Sequence, residues 1–237
     1  MSTVKTRVFG LPPLESDTKL EAFESYSRVD WTPSTTNHLT GAAVVSPRKT
    51  TYAGLNTFNP QPVTPDIENH NVFVMASDQL VVGTNALFET RVSLKRFDTT
   101  VYPSQGTGPM ILAPDVNSGS YFNDQDRMSR RGEWLTTYTF TPLGLQHVVK
   151  IGTGLAYETF DGISRNRPVE IVRENGTLNQ VTSFVGEGLL GRHRTAVRGF
   201  AQDSWTLSSR LTLQYGARYD YDSITSDINL APGDRSR

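Results

Sequence analysis

Three glycines offer the most suggestive spacing in the chain. Gly186-Glu-Gly-Leu-Leu-Gly191 matches G-x-G-x-x-G, the spacing that lets a backbone turn approach a pyrophosphate at a helix N-terminus. That chemistry needs a strand before the motif and a helix after it. Val181-Thr-Ser-Phe-Val185 can supply the strand, but Arg192-His193-Arg194-Thr195 leads into alternating residues, not into a helix. The sequence therefore assigns these glycines to a flexible loop. His38, His70, His147 and His193 are too far apart for a local metal set. Asp115-Val-Asn-Ser-Gly and Asn123-Asp-Gln-Asp126 offer oxygen ligands, but neither has the order of an EF-hand loop. Asn175-Gly176-Thr177 fits a glycosylation sequon. Glu174-Asn-Gly-Thr177 also fits a tight turn, and the flanks 169–173 and 178–184 make it the tip of a small hairpin. Cys is 0, which removes thiolate nucleophiles and zinc thiolates. No Ser-His-Asp or paired-carboxylate set follows from spacing, so catalytic residues, metals and cofactors are all expected to be none.

What remains is a set of charges at alternate positions: Arg28, Glu89, Arg91, Lys150, Arg198, Arg218 and Asp220, with Glu24, Lys95, Glu133 and Glu158. Such charges either line a polar path or pair across neighbouring strands. The elements that must carry them have period two. In 211–221, Leu211, Leu213, Tyr215, Ala217, Tyr219 and Tyr221 share one face, and Thr212, Gln214, Gly216, Arg218 and Asp220 the other. The same alternation predicts strands over 19–31, 38–47, 69–77, 86–98, 130–140, 147–160 and 194–205, eight in all. One face carries Phe88, Leu94, Tyr138, Ile151, Tyr157, Leu213 and Tyr215, and the charges take the other.

Between these strands lie 32–37, 48–68, 78–85, 99–129, 141–146, 161–193 and 206–210, so short and long connections alternate throughout. In an antiparallel meander this puts all short turns at one end and all long loops at the other. A transmembrane β-barrel sorts its connections in this way, with short periplasmic turns and long extracellular loops. Trp31, Phe140 and Trp205 each end a strand before Thr and a short turn, as a belt of interfacial aromatics would. The 237 residues carry a formal net charge of -1, which argues against a nucleic-acid partner. A mean hydropathy of -0.40 excludes only membrane helices, because a barrel strand turns alternate residues to lipid.

At 199–220, the segment Gly-Phe-Ala-Gln-Asp-Ser-Trp-Thr-Leu-Ser-Ser-Arg-Leu-Thr-Leu-Gln-Tyr-Gly-Ala-Arg-Tyr-Asp resembles a strand–turn–strand unit of TonB-dependent outer-membrane receptors. Tyr26-Ser-Arg-Val-Asp-Trp-Thr-Pro-Ser-Thr-Thr-Asn-His-Leu-Thr40 is similar to a second hairpin of those barrels, with the Oar-like branch nearest. The resemblance implies a cell outer membrane location, lipid around the barrel, a plug domain inside it, the TonB energy-transducing complex as partner, and an extracellular ligand. Residues 19–222 are expected to form part of such a barrel, 1–18 a polar leader or loop remnant, and 223–237 a truncated loop. Eight strands do not make the family's full barrel, and neither plug nor signal peptide is recognisable. The expectation is a barrel fragment serving ligand uptake. A complete eight-stranded barrel and a soluble all-β carbohydrate-binding module are the alternatives.

Overall fold

A computed structural model describes residues 2–7, 17–142, 146–186 and 188–226. Strands dominate it: β1 (Ser2–Arg7), β2 (Asp17–Ala22), β3 (Ser25–Ser34), β4 (Asn37–Thr51), β5 (Pro65–Val82), β6 (Ala86–Pro103), β7 (Met110–Leu112), β8 (Ser118–Gly119), β9 (Asn123–Phe140), β10 (His147–Asn166), β11 (Val169–Val172), β12 (Leu178–Thr182), β13 (Gly188–Ser208) and β14 (Leu211–Ser226). Among the described residues one 3₁₀ turn, Gln61–Val63, precedes β5.

The main sheet runs β1-β2-β4-β5-β6-β9-β10-β13-β14, with β3 also on β4, and every pairing in it is antiparallel. It is an open meander, since β14 pairs with neither β1 nor β3 among the described residues. The all-β antiparallel class expected from the alternation is the one observed. The strand count is higher than the expected eight, for two reasons. The strand expected over 19–31 breaks at Phe23 and Glu24, where β2 takes residues 48–51 of β4 and β3 takes residues 37–45. Short strands also form outside the periodic stretches: β1, within the expected leader, and four in the long loops. Residues 8–16 and 227–237 lie outside the described residues.

The strands are longer than their apolar alternation. β9 begins at Asn123, seven residues before the expected start, and its first seven residues, mostly polar, pair fully with 160–166 of β10. Backbone ladders need no apolar side chains, so pairing continues where the periodic signal stops. The hairpin expected at Asn175-Gly176 is present as β11 and β12. Gly176 sits at φ +77, where a residue without Cβ is favoured, and its N–H donates to Arg173 O at 2.9 Å.

β12-β11-β7-β8 form a second sheet, made wholly from the two longest loops, in which β11 and β7 run parallel. Most of the buried residues lie at this long-loop end, among them Val63, Thr64, Ser120, Asn123, Leu55 and Met110. In the middle of the large sheet few residues are buried, among them Thr40, Ala156 and Ala196.

Candidate functional site

Directly opposed residues of an antiparallel pair point to the same face, so the register sorts every side chain of the large sheet. Phe88 opposes Tyr138, Tyr138 opposes Ile151, and Ile151 opposes Ala201, which opposes Ala217. Leu94 opposes Gly132, which opposes Tyr157. Leu213 opposes Trp205, and Tyr215 opposes Asp203. By this chain of pairs Phe88, Leu94, Tyr138, Ile151, Tyr157, Leu213 and Tyr215 share one face with Trp31, Phe140 and Trp205. It is called the apolar face below. Leu94, Ile151, Tyr157, Leu213, Tyr215, Trp31 and Trp205 are all exposed on it.

This face has an upper edge. Moving from the short turns toward the long loops, the apolar face changes from Pro47 to Lys49 on β4, from Val72 to His70 on β5, and from Leu94 to Arg96 on β6. It changes from Trp134 and Gly132 to Arg130 on β9, from Tyr157 to Thr159 on β10, and from Tyr221 to Ser223 on β14. Below the edge the apolar stretch spans residues 86–94 on β6 and 213–221 on β14. Nine residues is within the roughly 9–11 that a tilted strand needs to cross a bilayer. Relative to the ladder, the edge drifts in one direction across the sheet, and so does the row Trp31, Phe140, Trp205 at the turn end. A level belt on tilted strands drifts in this way.

Two carboxylates sit within the apolar stretch, and both are held. Asn37 Nδ2 donates to Asp78 Oδ1 at 2.9 Å. Asp203 Oδ2 accepts from Tyr215 Oη at 2.6 Å and lies 2.7 Å from His147 Nδ1, whose ring stacks on Trp205 at 5.2 Å.

Arg28, Glu89, Arg91, Lys150, Arg198, Arg218 and Asp220 all fall on the opposite, polar face. There an ion-pair ladder crosses four strands. Arg131 on β9 bonds Glu133 and Glu158, both at 2.9 Å. Arg194 on β13 reaches Glu158 at 3.3 Å and Asp222 on β14 at 2.6 Å, and Arg198 reaches Glu133 at 3.3 Å. Arg28 pairs with Asp30 at 2.8 Å and Arg218 with Asp220 at 2.5 Å. Glu89 accepts from Gln79 at 3.1 Å and Thr137 at 3.2 Å. Arg91 and Lys150 are not in the ladder. They line a hollow of about 310 Å³ with Gln79, Glu89 and Thr137.

Glycines mark the same contrast. A methyl group at Gly152, on the polar face, would lie 2.4 Å from Phe200 Cε1, and one at Gly154 would lie 2.4 Å from Leu135 Cδ2. At Gly41 and Gly199, on the apolar face, nothing lies within 4 Å. Side chains converge on one face and diverge on the other.

The long loops are tied together by polar contacts. Asn117 N donates to Phe58 O at 2.8 Å and Asn117 Nδ2 to Asn59 Oδ1 at 2.7 Å, joining the second long loop to the first. Asn123 Nδ2 donates to Asn166 Oδ1 at 2.6 Å and Ser164 Oγ at 3.0 Å, and Arg167 pairs with Asp124. Of the loop oxygens considered as cation ligands, Asp124 Oδ2 is taken by Arg167, and Asn117 Oδ1 accepts from Ala113 N at 3.1 Å. Just below, Lys49 Nζ donates to Glu68 Oε1 at 2.7 Å and to Tyr102 Oη at 3.1 Å. Lys49 holds the Glu68 carboxyl below its ordinary value, and burial raises the Tyr102 hydroxyl above its own.

The glycine motif needs correction. Gly188 opens β13 and pairs with Ser164, so its last four residues belong to a strand and not to a flexible loop. The antiparallel ladder with β10 overrides the glycine-rich composition. Glu187 lies outside the described residues.

A sequence-family profile described as TonB dependent receptor-like, beta-barrel, matches residues 14–237. No curated protein sequence matches the chain. Among solved structures, the outer membrane transporter YddB from Escherichia coli aligns at 15% identity and a TM-score of 0.56, over 89% of this chain and 29% of that one. P. aeruginosa FpvA bound to heterologous pyoverdines aligns at 14% identity and 0.63, over 90% of this chain and 31% of that one. BauA, the ferric preacinetobactin receptor from Acinetobacter baumannii, aligns at 11% and 0.63, over 91% and 36%. The chain thus spans about a third of the length of these structures, and at such identities the likeness establishes the fold alone.

Proposed function

The chain belongs to the TonB-dependent receptor-like β-barrel family of the outer membrane, and from that premise we propose that it forms one sector of a receptor barrel wall serving energised ligand uptake. The apolar face meets lipid, with Phe88, Leu94, Tyr138, Ile151, Tyr157, Leu213 and Tyr215 in the hydrocarbon and Trp31, Phe140 and Trp205 at the periplasmic interface. The polar face, with Arg28, Glu89, Arg91, Lys150, Arg198, Arg218 and Asp220, lines the lumen. One observation carries this reading: a nine-residue apolar band on one face backs onto a cross-strand ion-pair ladder on the other. A soluble sheet would instead pack its apolar face into a core.

Because the sheet is open, closing the barrel takes further strands, and uptake takes a plug in the lumen and the TonB complex to move it. The chain has no enzymatic role in this reading; its work is to hold a path open and to present loops to a ligand.

The absence of cysteine makes a direct test available. Single cysteines at Leu94, Ile151 and Tyr215 are expected to resist a water-soluble maleimide once the chain is in a bilayer, and cysteines at Thr137, Gln202 and Gln214 to react. The reverse pattern would overturn the orientation. For uptake, disrupting the coding sequence is expected to abolish import of one ligand that also depends on TonB. Unchanged import of all such ligands would remove the chain from transport.

A further inference from the structure

One row of the apolar face is at odds with simple sheet energetics. Immediately above the apolar edge, Arg96 of β6 directly opposes Arg130 of β9; Arg130 opposes Thr159, and Thr159 opposes His193. Like charges set directly opposite each other destabilise a strand pair. On the polar face the comparable pair, Lys95 and Arg131, is relieved because Arg131 bonds Glu133 and Glu158. On the apolar face the relief is partial. Asp98 holds Arg96 through Nε at 2.8 Å, which leaves the terminal guanidinium nitrogens to other acceptors. Arg130 is exposed and has no acidic partner among the described residues. His70, also exposed, borders the row, and a hollow of about 430 Å³ lies there between His70, Arg96, Asp98, Asp126 and Asp161. Directly below, Gly132 carries no side chain between Leu94 and Tyr157, and Leu94 Cδ2 leans over it.

We propose that this row binds the phosphate of an outer-leaflet lipid headgroup, with its acyl chains lying over Val92, Leu94, Gly132 and Trp134. The inference rests on the lipid-facing assignment of the apolar face. The row stands at the level where headgroups meet hydrocarbon, and it offers planar donors that match phosphate oxygens. An anion there turns the Arg96–Arg130 repulsion into a shared contact. Asp98 and Asp161 stand one row further out, and Asp98 orients Arg96.

Trp134 lies on the same face just below the row and reports on it. The full chain, with Trp31→Phe and Trp205→Phe to leave one indole, is reconstituted in phosphatidylcholine vesicles. Quenching of Trp134 by acyl-brominated phosphatidic acid is then compared with quenching by acyl-brominated phosphatidylcholine. Phosphatidic acid is expected to quench several-fold more effectively at low salt. Arg96→Gln with Arg130→Gln should remove the preference. Arg48→Gln with Arg127→Gln, an equal charge change on the polar face, should leave it intact. High salt should compress the preference in the unsubstituted row, which tests the idea without any change to Arg96 or Arg130. Equal quenching by both lipids at low salt, or a preference that survives Arg96→Gln with Arg130→Gln, overturns the lipid site while leaving the orientation standing. Failure of both lipids to quench shows that the apolar face does not meet lipid, and the site falls with it.

Discussion

The wall of long strands and the cap of long loops are stabilised in opposite ways. In the wall few residues are buried, and large apolar side chains such as Leu155, Tyr157 and Tyr219 stand exposed. In the cap Val63, Thr64, Ser120 and Asn123 are almost fully enclosed and polar side chains are bonded into backbone. In the proposed reading the wall is a sheet whose hydrophobic partner is the surrounding lipid, whereas the cap carries its own small core. A water-exposed element must bury its apolar surface against protein, and a lipid-exposed one need not.

The sharpest way to break the comparison is to place a charge in the wall. Leu155→Arg, near the middle of the apolar band, is expected to cost about 2–4 kcal/mol in a bilayer, while Gln202→Arg on the polar face stays within about 0.5 kcal/mol. Urea unfolding of the reconstituted chain measures both. Equal costs would mean that the two faces see the same medium.

Packing distinguishes the faces a second time, with a smaller effect. Gly152→Ala drives a methyl group into Phe200 and is expected to destabilise by about 1–3 kcal/mol, whereas Gly199→Ala meets open space and should be neutral or slightly favourable. Phe200→Ala added to Gly152→Ala should recover much of the loss, a coupling that a double-mutant cycle reads directly. If the two alanines behave alike, the side chains do not converge on the polar face.

How far each region was legible follows from its physics. The wall declares itself because alternate residues take opposite faces, so Tyr138 and Thr139, or Arg218 and Tyr219, differ in type. The seven residues expected on one face and the seven on the other follow from that alternation alone. The signal fades where both faces are wet: Asn123-Asp-Gln-Asp-Arg-Met-Ser129 reads as loop but is ladder. β7 and β8 span three and two residues, too few for any period, and β7 is recruited by a parallel partner about sixty residues away. The Arg96–Arg130 opposition was also hidden, because it depends on register between strands separated by a long loop. The β11–β12 hairpin was legible because Asn-Gly turn chemistry is local.

In the cap, Asn123→Ala removes bonds to Ser164, Asn166 and the Arg165 carbonyl. The expected global loss is about 1 kcal/mol, with faster amide exchange confined to residues 105–125 and 160–172. Exchange that accelerated equally in β13 and β14 would show that cap and wall open as one unit.

The smallest effect tests the seam between the two regions, where Lys49, Glu68 and Tyr102 meet above the apolar edge. Glu68 has its folded value lowered below 4.5 by Lys49, so its contribution is complete above 4.5 and is lost as pH falls through the lowered value. Lys49 is raised above 10.5, so its contribution is complete below 10.5 and is lost as pH rises through the raised value. The contact is therefore fully formed between those limits. Because both side chains are partly in water, it should be worth only a few tenths of a kcal/mol, and salt should shrink it. Comparing the chain with Glu68→Gln across the acid range isolates the charge: the stability gap should close once pH has dropped below the lowered value. A gap that persisted in acid would assign the seam to the shape of the side chains and leave the ion pair without a role in holding the cap to the wall.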